Sequence, residues 1–127
     1  MIFGIGTDIV TVARIEAATV RHGSAFAARI LSEQEMVEYA TQAHPARFLS
    51  KRFAAKEAFA KATGQGLRHP VSLHHITVSH DELGKPVFLF DAKLAVHLQQ
   101  LGIVGYHLSI SDERDTAVTF VILEGEG

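Results

Sequence analysis

The sequence has no cysteine, no long apolar run and no excess of one charge. Without cysteine the chain has no disulfides, thiolate metal sites or cysteine nucleophile. A bilayer span needs roughly 20 apolar residues, and the apolar start lacks the basic leading region of a signal peptide. We therefore expect a soluble, cytoplasmic protein with no membrane partner. The 12 basic and 14 acidic residues give a net charge of −2, which argues against a general nucleic-acid binder.

Length and periodicity predict one α+β domain over residues 1–127. A chain of 127 residues fits a domain of ordinary size, and we find no linker or repeat. Alternation of apolar residues predicts strands, and a spacing of three to four predicts helices. The predicted elements are a strand at 2–10, helices at 11–21, 32–42 and 45–63, strands at 74–80 and 86–90, a helix at 91–101, and strands at 106–111 and 116–123. We expect 124–127 to fray.

The longest predicted helix carries a carboxylate and an ammonium one turn apart. At about 100° per residue, its apolar face consists of Phe48, Ala55, Phe59 and Ala62. The opposite face holds Ser50, Phe53, Glu57 and Lys61. Glu57 and Lys61 have the favourable order for a helix pair worth about 0.2–0.5 kcal/mol. A solvated salt bridge is one interpretation, and a cleft-lining pair is the other.

A lone carboxylate interrupts the first apolar segment. Asp8 follows Gly4 and Gly6, glycines that indicate where another backbone or a ligand comes close. A carboxylate in a buried strand is costly unless a cation or hydrogen bonds satisfy it. Two carboxylates and water suit Mg²⁺, which usually takes one or two protein carboxylates. If Asp8 meets Glu57 and Lys61 in space, the three form a site suited to phosphate chemistry; alternatively, Asp8 caps the helix that follows.

The histidines do not form an evident metal site. His74 and His80 fall on one face of a predicted strand and His75 on the other, so we do not expect them to converge on a metal. His107, in a later strand, is ambiguous, because a lone strand histidine is usually a packing residue.

Four motifs follow one another along nearly the whole chain. The first is Gly4-Ile5-Gly6-Thr7-Asp8, with Arg14 after it, and the second is the helical run 52–62, followed by Gly64-Gln65-Gly66. The third is the predicted hairpin 81–86, and the fourth is the late strand 107–112. Together they closely resemble holo-acyl-carrier-protein synthase, the short form of the 4′-phosphopantetheinyl transferase superfamily.

This resemblance implies a fold, a reaction and a metal site. The fold would be antiparallel strands packed on a long helix. The reaction would be Mg²⁺-dependent transfer of 4′-phosphopantetheine from coenzyme A to a serine of apo acyl carrier protein, releasing adenosine 3′,5′-bisphosphate and supporting fatty acid biosynthesis. By resemblance, Asp8 and Glu57 hold Mg²⁺, and Glu57 or a water that it holds accepts the serine proton. Lys61 would contact a phosphate oxygen as a point charge.

The resemblance also implies further binding residues and an assembly. The nucleotide end of coenzyme A is expected to contact Arg52, Gly84, Lys85 and Pro86. His107 is expected to approach the substrate phosphates, from a neighbouring subunit. Arg14 and Arg21, otherwise a solvated helix face, are expected to bind the acidic helix of the carrier protein.

Two departures from the superfamily pattern bear on the assembly and on one position. Larger members carry tryptophan where Phe53 stands and contain two copies of this unit, so Phe53 and the short length fit the single-copy branch, a homotrimer with sites between subunits. Asp112 stands where some relatives have histidine, and we assign it no role.

Two other functions remain open on the residues alone. A Mg²⁺-dependent nucleotide pyrophosphohydrolase would use the same carboxylates and transfer to water, although the chain lacks a dense acidic cluster. A non-catalytic oligomeric module would bind acidic proteins through Arg14 and Arg21.

Overall fold

A central 19-residue helix, α4, organises this computed structural model, which describes residues 1–127. A three-stranded antiparallel sheet in the order β1-β5-β4 packs on it, and β2 and β3 form a separate antiparallel hairpin. The elements are β1 (Ile2–Thr11), α1 (Val12–His22), α2 (Ser24–Ile30), α3 (Glu33–Tyr39), α4 (Pro45–Thr63), a 3₁₀ turn (Leu73–His75), β2 (Ile76–His80), β3 (Pro86–Phe90), α5 (Ala92–Gln100), β4 (Ile103–Asp112) and β5 (Thr116–Gly125). The expected α+β fold, antiparallel strands on a long helix, is confirmed. No helix combines the length and apolarity needed to cross a bilayer.

Helix α4 has the predicted bounds because local signals stand at both ends. Pro45 occupies the first turn, where its missing N–H costs no helical hydrogen bond. Gly64 ends the helix in the left-handed conformation, with φ of 79°, which a residue without Cβ adopts at little cost. The helix therefore presents its side chains to the sheet in a fixed register.

Strand β1 approaches α4 so closely that only glycine fits at two positions. A Cβ on Gly4 would lie 2.0 Å from the carbonyl oxygen of Ala62, and one on Gly6 would lie 2.0 Å from that of Ala58. The glycines thus admit the helix backbone, which is one of the two roles that the sequence indicated. Because these contacts fall one helical turn apart, β1 runs along the helix in the opposite direction.

The two-faced description of α4 is only partly right. Phe59 is fully buried, with its ring 5.1 Å from those of Phe88 and Phe90, while Glu57 is half-buried and Lys61 exposed. Ser50, placed on the open face by the wheel, is fully buried. The helix is enclosed on more than one side, so a single apolar stripe underestimates its burial.

Four other expectations about elements are wrong in their detail. Residues 24–30 form α2, which was not predicted, and α3 ends at Tyr39, before residue 42. His74 and His75 lie in the 3₁₀ turn and not in a strand, so the alternation of faces does not apply to them. Glu124 and Gly125 do not fray, because β5 continues through both and pairs with its neighbours.

Candidate active site

Strand β1 and helix α4 bring Asp8, Glu57 and Lys61 together. The Lys61 ammonium donates hydrogen bonds to Asp8 Oδ1 and to the Thr7 carbonyl oxygen, both at 3.0 Å. The Asp8 side chain is 16% exposed and that of Lys61 is 55% exposed. The two segments therefore meet in space, which is the condition that the sequence hypothesis set for a site at this trio.

Glu57 lies in the same environment, and the pKa of its carboxyl is shifted by it. Burial, and then the negative charge of Asp8, raise the pKa of the Glu57 carboxyl, although Lys61 and Arg14 oppose the shift. Two carboxylates that repel each other in a partly desolvated place are stabilised by a cation or by sharing a proton. Glu57 is therefore a better proton acceptor than an ordinary surface glutamate.

The donor set fits Mg²⁺. Asp8 and Glu57 supply hard oxygen ligands, and Mg²⁺ commonly takes only two carboxylates and completes its shell with water and phosphate oxygens. No cluster of three or more histidine or acidic side chains is placed to hold a metal ion by itself. Asp8 does not cap α1, because Thr11 is its N-cap residue and makes no side-chain cap.

Of the two arginines of α1, one lies near the carboxylates. Arg14 and Arg21 are both exposed, and Arg14 is close enough for its charge to lower the pKa of Glu57 against the larger raising effects. Arg21 lies in the last turn of the same helix, about two turns further along.

Arg52 and the β2–β3 turn form a separate group. The Arg52 Nη2 donates to Glu38 Oε2 at 3.3 Å, and its Nε lies 3.6 Å from Glu35 Oε2. Burial and the nearby charge of Arg52 lower the pKa of His80, the last residue of β2. The turn that follows is built by Asp81, whose carboxylate accepts from the backbone N–H of Lys85 at 2.9 Å, with Gly84 at φ of 85°.

His107 does not join Asp8 and Glu57 within one chain. On β5, the residues of the helix-facing side are buried, and their neighbours in between are exposed. Asp8 pairs with Thr119 of the buried set, whereas His107 pairs with Ile122 of the exposed set. His107 therefore lies on the outer face of the sheet, where its ring N–H donates to the Glu124 carboxylate and lowers the pKa of that carboxyl.

A cavity of about 740 Å³ lies between α3 and the β2–β3 hairpin and is lined by Ser32, Met36, His74, Thr77 and Asp91, among others. Its lining does not include Asp8, Glu57 or Lys61. The three side chains of the candidate site are thus brought together outside this cavity.

Sequence reasoning missed a buried ion pair that involves the residue next to Glu57. Lys56, next to Glu57, is fully buried and donates to Glu35 and to the carbonyl oxygens of Ile30 and Leu73. Glu35 in turn accepts from the backbone N–H of Val78. Desolvation lowers the pKa of Lys56 despite Glu35. The one available signal was a capping-box glutamate, which indicates a helix start and says nothing of a buried partner.

Comparison with known proteins decides the family. The family model described as "4'-phosphopantetheinyl transferase superfamily" matches residues 4–120. The chain belongs to the 4′-phosphopantetheinyl transferase superfamily. Among curated proteins of this superfamily, the holo-[acyl-carrier-protein] synthase of Nitrosospira multiformis is 56% identical over 124 residues, covering 98% of this chain and 99% of its own.

Solved structures of the superfamily agree with the fold. The holo-[acyl-carrier-protein] synthase from Neisseria meningitidis is 49% identical, with a TM-score of 0.96 over 98% of this chain and 99% of that one. A holo-(acyl-carrier-protein) synthase from Bacillus anthracis, solved in complex with CoA (3',5'-ADP), is 36% identical, with a TM-score of 0.81 over 99% of both chains. Similarity to superfamily members thus extends over the whole domain and is not confined to the motifs.

Proposed function

We propose that this chain is a holo-acyl-carrier-protein synthase of the cytoplasm, acting as a Mg²⁺-dependent homotrimer in fatty acid biosynthesis. It transfers 4′-phosphopantetheine from coenzyme A to a serine of apo acyl carrier protein, the activity that the near full-length relatives carry in their names. The observation that carries the proposal is the meeting of Asp8, Glu57 and Lys61 at one open, partly buried place.

The chain's own groups account for the proton and charge changes of this transfer. The serine oxygen forms a bond to the β-phosphorus, and the bond from that phosphorus to the bridging oxygen breaks, so adenosine 3′,5′-bisphosphate leaves with the electron pair. Glu57, or a water that it holds, would accept the serine proton. Asp8 and Glu57 would hold Mg²⁺, which supplies Lewis-acid stabilisation of the phosphate oxygens when bound.

Lys61 supplies a mobile positive charge. Its ammonium neutralises Asp8 in the free chain, but more than half of its side chain is exposed. Because so much of this side chain is exposed, the ammonium would be able to turn to a phosphate oxygen, where charge develops during the transfer. One side chain thus stabilises the empty site and the charged substrate in turn.

A trimer would bring the separated residues to one site. The outer face of the sheet exposes Ile5, Ile9, Phe120 and Ile122, an apolar surface typical of a subunit interface. His107 lies on that face, so a neighbouring copy packed there would carry it toward the phosphates. Arg52, Gly84, Lys85 and Pro86 would bind the nucleotide end, and Arg14 and Arg21 the carrier protein.

The test is the intact mass of an apo acyl carrier protein after incubation with this protein, coenzyme A and Mg²⁺. We expect a gain of one phosphopantetheine arm that EDTA abolishes. A carrier that keeps its mass in the presence of folded protein would contradict the proposal. Release of adenosine 3′,5′-bisphosphate without any carrier would identify a hydrolase instead.

A further inference from the structure

Thr119 is a hydroxyl in a position built for apolar packing. It lies on the side of β5 that faces α4, between the fully buried neighbours Ala117 and Val121. Its own side chain is fully buried. Burying a hydroxyl costs free energy unless it is hydrogen-bonded, and Thr119 Oγ1 donates to the Ala54 carbonyl oxygen of α4 at 2.7 Å. This is a buried, directional link between β5 and α4, whereas the other side-chain hydrogen bonds from α4 to the sheet come from the exposed Lys61.

The Thr119 hydrogen bond is made by the β5 residue that lies opposite Asp8, one of the two proposed Mg²⁺ ligands. In the β1–β5 ladder, Thr119 is the residue paired with Asp8. Two residues earlier, Gly6 meets the carbonyl of Ala58, and two before that Gly4 meets the carbonyl of Ala62. The next carbonyl one helical turn along is that of Ala54, and there the contact is the Thr119 hydrogen bond. Three successive turns of α4 therefore contact the sheet at three alternate residue pairs of the β1–β5 ladder.

The contact between helix and sheet is of a different kind at the third pair, Asp8 and Thr119. At the first two, glycine lets the helix backbone touch β1 directly, so the separation is set by atoms in contact. At the third, the glycine position is taken by Asp8, which has a side chain to accommodate, and the helix is held from the neighbouring strand. Glu57 lies three residues after Ala54, about one turn along α4.

We infer that Thr119 is a positioning residue that sets the separation between the Asp8 and Glu57 carboxylates. Its hydroxyl touches neither substrate nor metal and acts through the Ala54 carbonyl on the helix and through the ladder on Asp8. The inference rests on the proposed function, because it concerns the Mg²⁺ pair of that site. Outer partners that orient metal ligands typically change metal affinity or activity about 10- to 100-fold when removed.

The test compares variants that differ only in the hydroxyl. Thr119→Val keeps the shape and removes the hydroxyl, and the pair Thr119→Ser and Thr119→Ala repeats the comparison if the valine variant does not fold. Thr63→Val is the matched control, since Thr63 is buried and its hydroxyl also donates to an α4 carbonyl, that of Ala60 at 2.7 Å. Mn²⁺ bound to each protein is titrated by loss of its free electron paramagnetic resonance signal, with and without coenzyme A and against a coenzyme A blank.

We expect Thr119→Val, or Thr119→Ala relative to Thr119→Ser, to bind Mn²⁺ about tenfold more weakly. Thr119→Ser and Thr63→Val should bind it like the wild type, and the Mg²⁺ concentration for half-maximal turnover should shift in parallel while the KM for coenzyme A holds. Equal Mn²⁺ affinity in all variants would overturn the positioning role and leave the proposed function intact. A wild type that binds no Mn²⁺ even with coenzyme A would overturn both.

Discussion

At the scale of single residues, the candidate site contains a carboxyl group whose ionised form destabilises the folded chain. Glu57 is half-buried beside Asp8, and burial together with that like charge raises its pKa. A raised pKa means that the ionised carboxylate is less stable, relative to its protonated form, in the folded chain than in the unfolded chain. A residue chosen for packing would not be ionisable here, whereas a metal ligand or proton acceptor must be.

Replacing Glu57 by Gln should reveal this cost as a pH dependence. Because the folded pKa is raised, the stability that protonation of Glu57 contributes is fully present below its ordinary value of about 4.3 and is lost as pH rises through the folded value. In metal-free buffer, the unfolding free energy of the wild type relative to Glu57→Gln should therefore fall with rising pH over that window. Urea unfolding at several pH values measures it; a relative stability that rises with pH would show that Glu57 is stabilised as the anion.

Lys61→Ala should damage turnover far more than folding. The Lys61–Asp8 pair is largely exposed on the lysine side, and exposed ion pairs contribute about 0–1 kcal/mol to stability. Removing a charge that stabilises the reacting phosphates should lower kcat/KM about 100-fold. Lys93→Ala, an exposed lysine of α5, is the control and should change neither. Turnover equal to wild type would remove Lys61 from the site.

At the scale of elements, prediction succeeded where a local signal marks the boundary. Proline and glycine bound α4, and Asp91 caps α5 by accepting from the Leu94 N–H at 2.9 Å. The seven-residue α2 has no side-chain cap at its start, so nothing local announced it. A lone carboxylate in an apolar strand drew attention to Asp8, and its metal role with Glu57 stays a prediction. The partners of Lys56 come from distant segments, which no spacing within one segment reveals.

The buried Lys56–Glu35 pair joins α4 to α3 and should dominate the stability of that half of the chain. Both side chains are fully buried, and removing one partner leaves the other as an uncompensated buried charge. Glu35→Gln should therefore lower the unfolding free energy by about 3–5 kcal/mol, measured by urea denaturation. The exposed Glu33→Gln, in the same helix, serves as the control. A loss no larger than that of the control would mean that the pair contributes no net stability.

At the scale of the whole molecule, the single chain leaves apolar side chains exposed on the outer face of its sheet. The outer sheet face exposes Phe120 to 58% and Ile9 to 66%, while Gly4 and Gly6 close the other face against α4. The sequence predicted a strand over 116–123, but only the structure shows which of its side chains face α4 and which face outward. The sheet therefore has a buried inner face and an outer face whose apolar side chains are exposed in the single chain.

Phe120→Arg should break the proposed trimer without unfolding the chain. A charge on this face would be desolvated in an interface, whereas in a monomer it is solvated. Light scattering should give three times the 13.8 kDa chain mass for the wild type and a lower mass for the variant. Val37→Arg, at another exposed apolar residue, should leave the mass unchanged. A wild type that is monomeric throughout would contradict the assembly.

If each site draws Lys61 from one subunit and His107 from its neighbour, two inactive variants should restore each other. Lys61→Ala and His107→Ala are refolded separately and together from denaturant, so that mixed trimers form at random. In a mixture of equal parts, about one interface in four receives both intact residues, and turnover should recover to about a quarter of wild type. Separately refolded proteins, combined afterwards without subunit exchange, should stay inactive. Recovery absent from the co-refolded sample, with trimers present by light scattering, would show that Lys61 and His107 do not meet across a subunit interface.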